Sequence, residues 1–177
     1  MKDFSLKFID IMIGVVLGLG FQWWTALSHP WQYVAFIFAY LDIVDYWIDY
    51  SPSLKKFPPK REIDVFIDLG IMFALFLYIY TTQLTVVFFF GAFIVWRVLD
   101  FFWLLSSRAE FRPAGRDRVF LDTWIQFNVL EAFATGGLLF ASLHTAFPPL
   151  LWVLSYILLR VLVRIAASFR YKKVHFV

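Results

Sequence analysis

Apolar residues fall in six blocks of about twenty, the number a helix needs to cross a bilayer, at 9–28, 31–50, 63–82, 84–105, 119–142 and 147–168. Polar residues are confined to the short stretches between the blocks and to a few positions inside them. At a rise of about 1.5 Å per residue each block covers the hydrocarbon thickness, so the pattern predicts six transmembrane helices. Runs such as "GIMFALFLYIY" (70–80) do not alternate between apolar and polar positions, which excludes the strands of a β-barrel.

Composition supports this pattern. The 177 residues are 62% hydrophobic and 16% charged, with a mean hydropathy of +0.74, whereas soluble domains hold about 45–50% apolar and about 25% charged residues. The expectation is an all-α polytopic membrane protein, a single transmembrane domain over 1–177. With no cysteine, disulfides, thiol catalysis and Cys-ligated metals are excluded. A net charge of +3 would hint at nucleic acid in a soluble chain, but here the basic residues serve as topology signals. Nucleic acid is therefore not an expected partner. The opening "MKDFSLKFID" leads into the first block without a small-residue cleavage site, so no removable signal peptide is expected.

The connections alternate in charge. "LSHPW" (27–31), "YTTQL" (80–84) and "LHTAFPP" (143–149) hold no Lys or Arg, whereas 51–62 carries Lys55, Lys56, Lys60 and Arg61, and 106–118 carries Arg108, Arg112, Arg116 and Arg118. Both ends are basic as well, with Lys2 and Lys7, then Arg170, Lys172 and Lys173. By the positive-inside rule the chain is N-in and C-in, in a cell inner or plasma membrane. Trp23, Trp24 and Trp31 then fall near the outer surface, and Trp47 and Trp103 near the inner one, as interfacial belts. Phe88, Phe89 and Phe90 read as lipid contact and packing.

Three of the helices open on a similar tripeptide, Phe8-Ile9-Asp10, Phe66-Ile67-Asp68 and Phe120-Leu121-Asp122, spaced by 58 and 54 residues. "DIVDYW" (42–47), "RVLDFF" (97–102) and "RVLVRI" (160–165) can be laid over one another in the other three. The reading is three two-helix hairpins, 1–60, 61–115 and 116–177, related by a pseudo-threefold axis along the membrane normal. Gly14 and Gly18 form a small-xxx-small face expected to serve internal helix packing.

The charges inside the spans hold the chemistry. Asp10, Asp42, Asp45, Asp68, Asp100, Asp122 and Glu131 make seven acids against three arginines, Arg97, Arg160 and Arg164. Groups so placed are costly in lipid and should face the bundle interior. The surplus carboxylates call for protons, water or a bound cation. Asp42, Asp45 and Asp49 share one helix face by their i, i+3, i+7 spacing. Expected pairs are Asp42 or Asp68 with Arg97, and Asp122 with Arg160, with Asp10, Asp49 and Asp64 solvated at the interface. Asn128 shares the face of Glu131, and Gln126 adds polarity nearby.

His29, His144 and His175 fall in loops or at the tail, which supports neither haem ligation nor zinc. No Walker or dinucleotide glycine loop and no HExxH helix is present. The chain is not expected to be an enzyme, and no cofactor or metal is expected. Two functions compete. One is a small channel or transporter for cations or protons, built on the polar layer of Asp42, Asp45, Asp68, Arg97, Asp100, Asp122, Glu131, Arg160 and Arg164. The other is a membrane-anchoring or scaffolding subunit whose charges are structural. Expected partners are membrane lipids, a small cation or proton, and a second copy or a partner membrane subunit.

Overall fold

The structure is a computed structural model that describes residues 2–172. The side chains of Lys2, Phe8, Lys172, Lys173 and His175 lie outside the described set. Among the described residues the fold is all helical. Helix α1 is Lys2–Gly20, continued by a 3-10 turn Phe21–Ala26, and α2 is Pro30–Lys56. Helix α3 is Glu62–Tyr80 with a 3-10 turn Thr81–Gln83, followed by α4 Val86–Phe111, α5 Gly115–His144 and α6 Pro149–Ala167.

Local chemistry sets these boundaries. Pro30 and Pro149 sit in the first helical turns, where a missing N–H costs nothing. The Gln32 side chain accepts from the backbone N–H of Ser28 and His29 at 2.8 and 2.9 Å and closes the start of α2. Asp64 does the same for α3 by accepting the Arg61 N–H at 3.1 Å. The turn between α4 and α5 is tight because Arg112 (φ 44°) and Gly115 (φ 58°) both adopt left-handed backbone. Helix α2 runs through Pro52 to Lys56, several residues past the end of its apolar block. Hydropathy marks where lipid ends, whereas the backbone continues wherever its hydrogen bonds are met.

Four segments are long and apolar enough to cross a membrane: Ile9–Ala26, Glu62–Gln83, Val86–Phe111 and Pro149–Arg170. Helices α2 and α5, at 27 and 30 residues, are longer, but acids such as Asp42, Asp45, Asp49, Asp122 and Glu131 interrupt their apolar runs. The helices pack in a closed circuit, α1 to α3 to α4 to α5 to α6 to α2 and back to α1. Outward-facing Phe66, Phe73, Phe133 and Leu158 are exposed, an apolar surface suited to lipid. Trp103 is buried against Tyr50, at 5.1 Å between rings, and Trp31 is buried too. Both rings turn toward helix neighbours rather than outward.

The glycine face behaves differently from expectation. Gly14 and Gly18 are exposed, and a Cβ at either would meet nothing within 4 Å. Helix α1 packs through Ile9, Ile13, Val16 and Gly20, a stripe on its opposite side. A Cβ at Gly20 would lie 2.9 Å from Ile79 and 3.0 Å from the Tyr40 hydroxyl, which itself donates to the Leu17 carbonyl at 2.7 Å. Gly20→Leu is therefore expected to cost about 1–3 kcal/mol by overpacking, while Gly14→Leu and Gly18→Leu leave stability unchanged. Thermal unfolding in detergent reads the difference. Equal losses at all three positions would contradict this packing.

Candidate functional site

Helices α2, α4, α5 and α6 each turn charged side chains to the bundle centre. Arg160 of α6 donates from Nε to Asp42 of α2 at 3.2 Å and from Nη2 to the other Asp42 oxygen, and its Nη1 donates to Glu131 of α5. The second oxygen of Glu131 lies 3.3 Å from Nε of Arg97 on α4. Nη1 of Arg97 donates to Asn128 at 3.1 Å, and Asn128 in turn donates to Asp100 at 2.6 Å. Tyr46 donates to the remaining Asp100 oxygen at 2.9 Å. Asp42, Arg97, Asp100, Asn128, Glu131 and Arg160 are all buried, Glu131 completely.

Charge alternates along this chain, so each guanidinium faces a carboxylate on either side. Arg97 is also held by ring faces, its guanidinium carbon 3.7 Å from the Trp96 centroid and 4.9 Å from that of Phe93. One turn further along, Arg164 donates to Asp45 at 2.7 Å and to Asp49 at 2.5 Å. The i, i+3, i+7 acids of α2 thus meet the i, i+4 arginines of α6 in register. Five carboxylates, Asp42, Asp45, Asp49, Asp100 and Glu131, share three guanidiniums in this layer.

Two sides of the layer differ. Toward the 57–61 and 112–114 connections lies a partly open cleft. Its walls include Asp45, Asp49, Asp100, Arg97, Arg160, Arg164, Tyr46, Tyr50, Trp103, Leu104 and Phe120. The enclosed part has room for about two waters at the 10–15 Å³ each requires. On the opposite side Tyr78 reaches Asp42 at 3.4 Å and shares a 2.6 Å hydrogen bond with Tyr156. Phe38, Phe89, Phe90 and Phe93 pack around Tyr156 at ring distances of 4.9–5.9 Å and close that end.

The pairs differ from those expected. Arg97 takes Glu131, Asn128 and Asp100, and Asp42 belongs to Arg160. Asp68 is buried and accepts from Tyr50 at 2.6 Å. Asp122 pairs with Arg108 at 3.2 Å and Arg118 at 3.5 Å, near the start of α5 and far along that helix from Glu131. Asp49 is held by Arg164, and Asp64 is buried beneath Arg61 and Ser106, so neither is a solvated interfacial acid. The hydrogen bond to Asp64 holds the Arg61 guanidinium above its usual range, with Glu110 adding to the effect. Asp10 is exposed and accepts from Trp47 at 3.1 Å. The three Asp residues of the repeated tripeptide therefore occupy three different settings. Gln126 is exposed and accepts from Arg170 at 2.5 Å.

The expected list omitted the phenols Tyr46, Tyr50, Tyr78 and Tyr156. Their signal was position, a hydroxyl deep within an apolar run that needs a partner once buried. No protein-family model, characterised protein or solved structure matches the chain.

Removing one partner of a buried ion pair leaves an uncompensated charge and costs about 3–5 kcal/mol. Arg160→Gln and Glu131→Gln are each expected to lose that much. Asp45→Asn, at a half-exposed pair, is expected to lose less than about 1 kcal/mol. Denaturant unfolding in detergent micelles measures all three. Equal losses for Glu131→Gln and Asp45→Asn would contradict the burial argument.

Proposed function

We propose that the protein is a small integral membrane transporter coupled to protons, with the Asp42–Arg160–Glu131–Arg97–Asp100 layer as its proton-bearing element. In this reading all six helices cross the bilayer, N-in and C-in, as three related hairpins, and the cleft faces the cytoplasm of a cell inner or plasma membrane. The observation that carries it is the buried chain of alternating charges with more carboxylates than guanidiniums, one side bordering a cleft and the other closed by aromatic rings. Surplus carboxylates in a low-dielectric layer are most economically neutralised by protons. A metal cation fits poorly at Glu131, since a guanidinium lies against each of its oxygens.

The scaffold alternative relies on the basic connections as docking loops. Several of those cations are engaged within the chain: Lys56 with Asp117 at 2.6 Å, Arg61 with Glu110, and Arg108 with Asp122 at 3.2 Å. That engagement leaves less charge for a partner.

Proteoliposomes carrying an internal pH dye test the proposal. Wild-type protein is expected to dissipate an imposed pH gradient in the presence of its cargo. Asp100→Asn, which keeps the side-chain shape, is expected to slow the flux about tenfold or more, the effect usual for a proton-transfer group. Absence of flux in the wild type with every cargo offered, or an Asp100→Asn variant that runs at the wild-type rate, would overturn it.

A further inference from the structure

Helix α3 buries two aspartates one turn apart, and their surroundings differ. Asp64 accepts from the Arg61 N–H at 3.1 Å, from the Arg61 guanidinium at 3.2 Å and from the Ser106 hydroxyl at 2.7 Å, so its charge is compensated. Asp68 is 3% exposed, yet among the described residues it forms no ion pair with any lysine, arginine or histidine. Its Oδ1 accepts from the Tyr50 hydroxyl at 2.6 Å, while Oδ2, shut off from solvent, makes no hydrogen bond among the described residues. Tyr50 of α2, Trp103 of α4 and Asp64 of α3 itself are the groups that face it, and none is a cation. Tyr46 and Asp100 are hydrogen-bonded to each other, and Arg97 is committed to Glu131, Asn128 and Asp100. On α1, which packs against α3, Lys7 and Asp10 are exposed. An ionised carboxylate buried with a single phenol as partner costs far more than the neutral acid in the same place.

We propose that Asp68 is a second proton-binding site, outside the charged layer, with Oδ2 carrying the proton and the Tyr50 hydroxyl fixing Oδ1 as the carbonyl oxygen. A proton needs no cavity of its own. Tyr50 lines the cleft, so the site lies one side chain away from the space that admits water there. The acids of the layer answer to the guanidiniums that face them, whereas burial and one hydrogen bond set the state of Asp68. The proposal rests on the transport reading only in making this proton one that is moved. Its presence on Asp68 does not depend on that reading.

Isotope-edited infrared spectroscopy tests the site in the full-length protein in lipid, with aspartate carboxyls labelled so that their bands separate from those of glutamate. Asp68→Asn keeps the shape and the neutral charge of the acid, and is expected to remove one carboxyl's share of the protonated-aspartate band while the protein keeps its unfolding temperature. Tyr50→Phe is expected to keep that share and move it to higher wavenumber, because the carbonyl oxygen loses its donor. Asp64→Asn, at the compensated neighbour, is expected to leave the band as it is. A band unchanged by Asp68→Asn, a band that Asp64→Asn reduces as much, or a band that Tyr50→Phe does not move would overturn the proposal. A protonated Asp68 in a protein that moves no protons would retire the transport reading and leave the site intact. Proton flux by a protein whose aspartate band is indifferent to Asp68→Asn would do the reverse.

Discussion

The guanidinium of Arg160, held between Asp42 and Glu131, is the contact on which the arrangement of the bundle depends. A charge placed alone at the centre of a membrane helix costs ~2.5–3.5 kcal/mol on insertion scales. Here it is tolerable because α2 and α5 each supply a carboxylate within hydrogen-bonding distance. That requirement fixes three helices relative to one another, since apolar side chains in lipid gain little from choosing one neighbour over another. Arg97 extends the constraint to α4, and Tyr78 brings in α3 through Asp42. Helix α1 contributes no charge to the layer. It lies at the periphery, with only 22% of its apolar window buried, the least of the four apolar segments.

The same constraint makes the two sides of the layer different in kind. Buried polar groups must be paired or wet, and toward Tyr78 and Tyr156 the layer meets packed phenylalanine rings. Toward Asp49 and Tyr50 the helices part enough to leave a cleft. Under the transport proposal, polarity that ends at an aromatic wall on one side and at a partly open cleft on the other is an asymmetry that alternating access would use.

Much of the fold was legible because long apolar blocks favour helix: each of the six corresponds to a helix, and four of the segments are long and apolar enough to cross a membrane. The faces were legible too, as spacing alone put Asp42, Asp45 and Asp49 on one side of α2, where α6 meets them. The pairing was not, because helical spacing says which face a residue occupies and nothing about which helix lies across from it. The circuit sets α4 against α5, so Arg97 meets Glu131 rather than the expected Asp42 or Asp68. Asp122 lay too near its helix end to reach Arg160 and found Arg108 and Arg118 instead. Gly14 and Gly18 misled for a similar reason, since a small-residue face permits close packing and does not compel it. The tyrosines were missed because attention went to the charges, although Tyr156 lies mid-way along α6, where a buried hydroxyl needs a partner.

The account stands on the claim that carboxylates in the buried layer outnumber its fixed positive charges and that protons make up the difference. Infrared spectroscopy of the protein in lipid measures this directly, because protonated and ionised carboxyl groups absorb in separate bands. At neutral pH the account predicts a protonated-carboxyl band shielded from rapid deuterium exchange, diminished by Asp100→Asn and untouched by substitution of the exposed Asp10. A spectrum with every carboxyl ionised at neutral pH would contradict it.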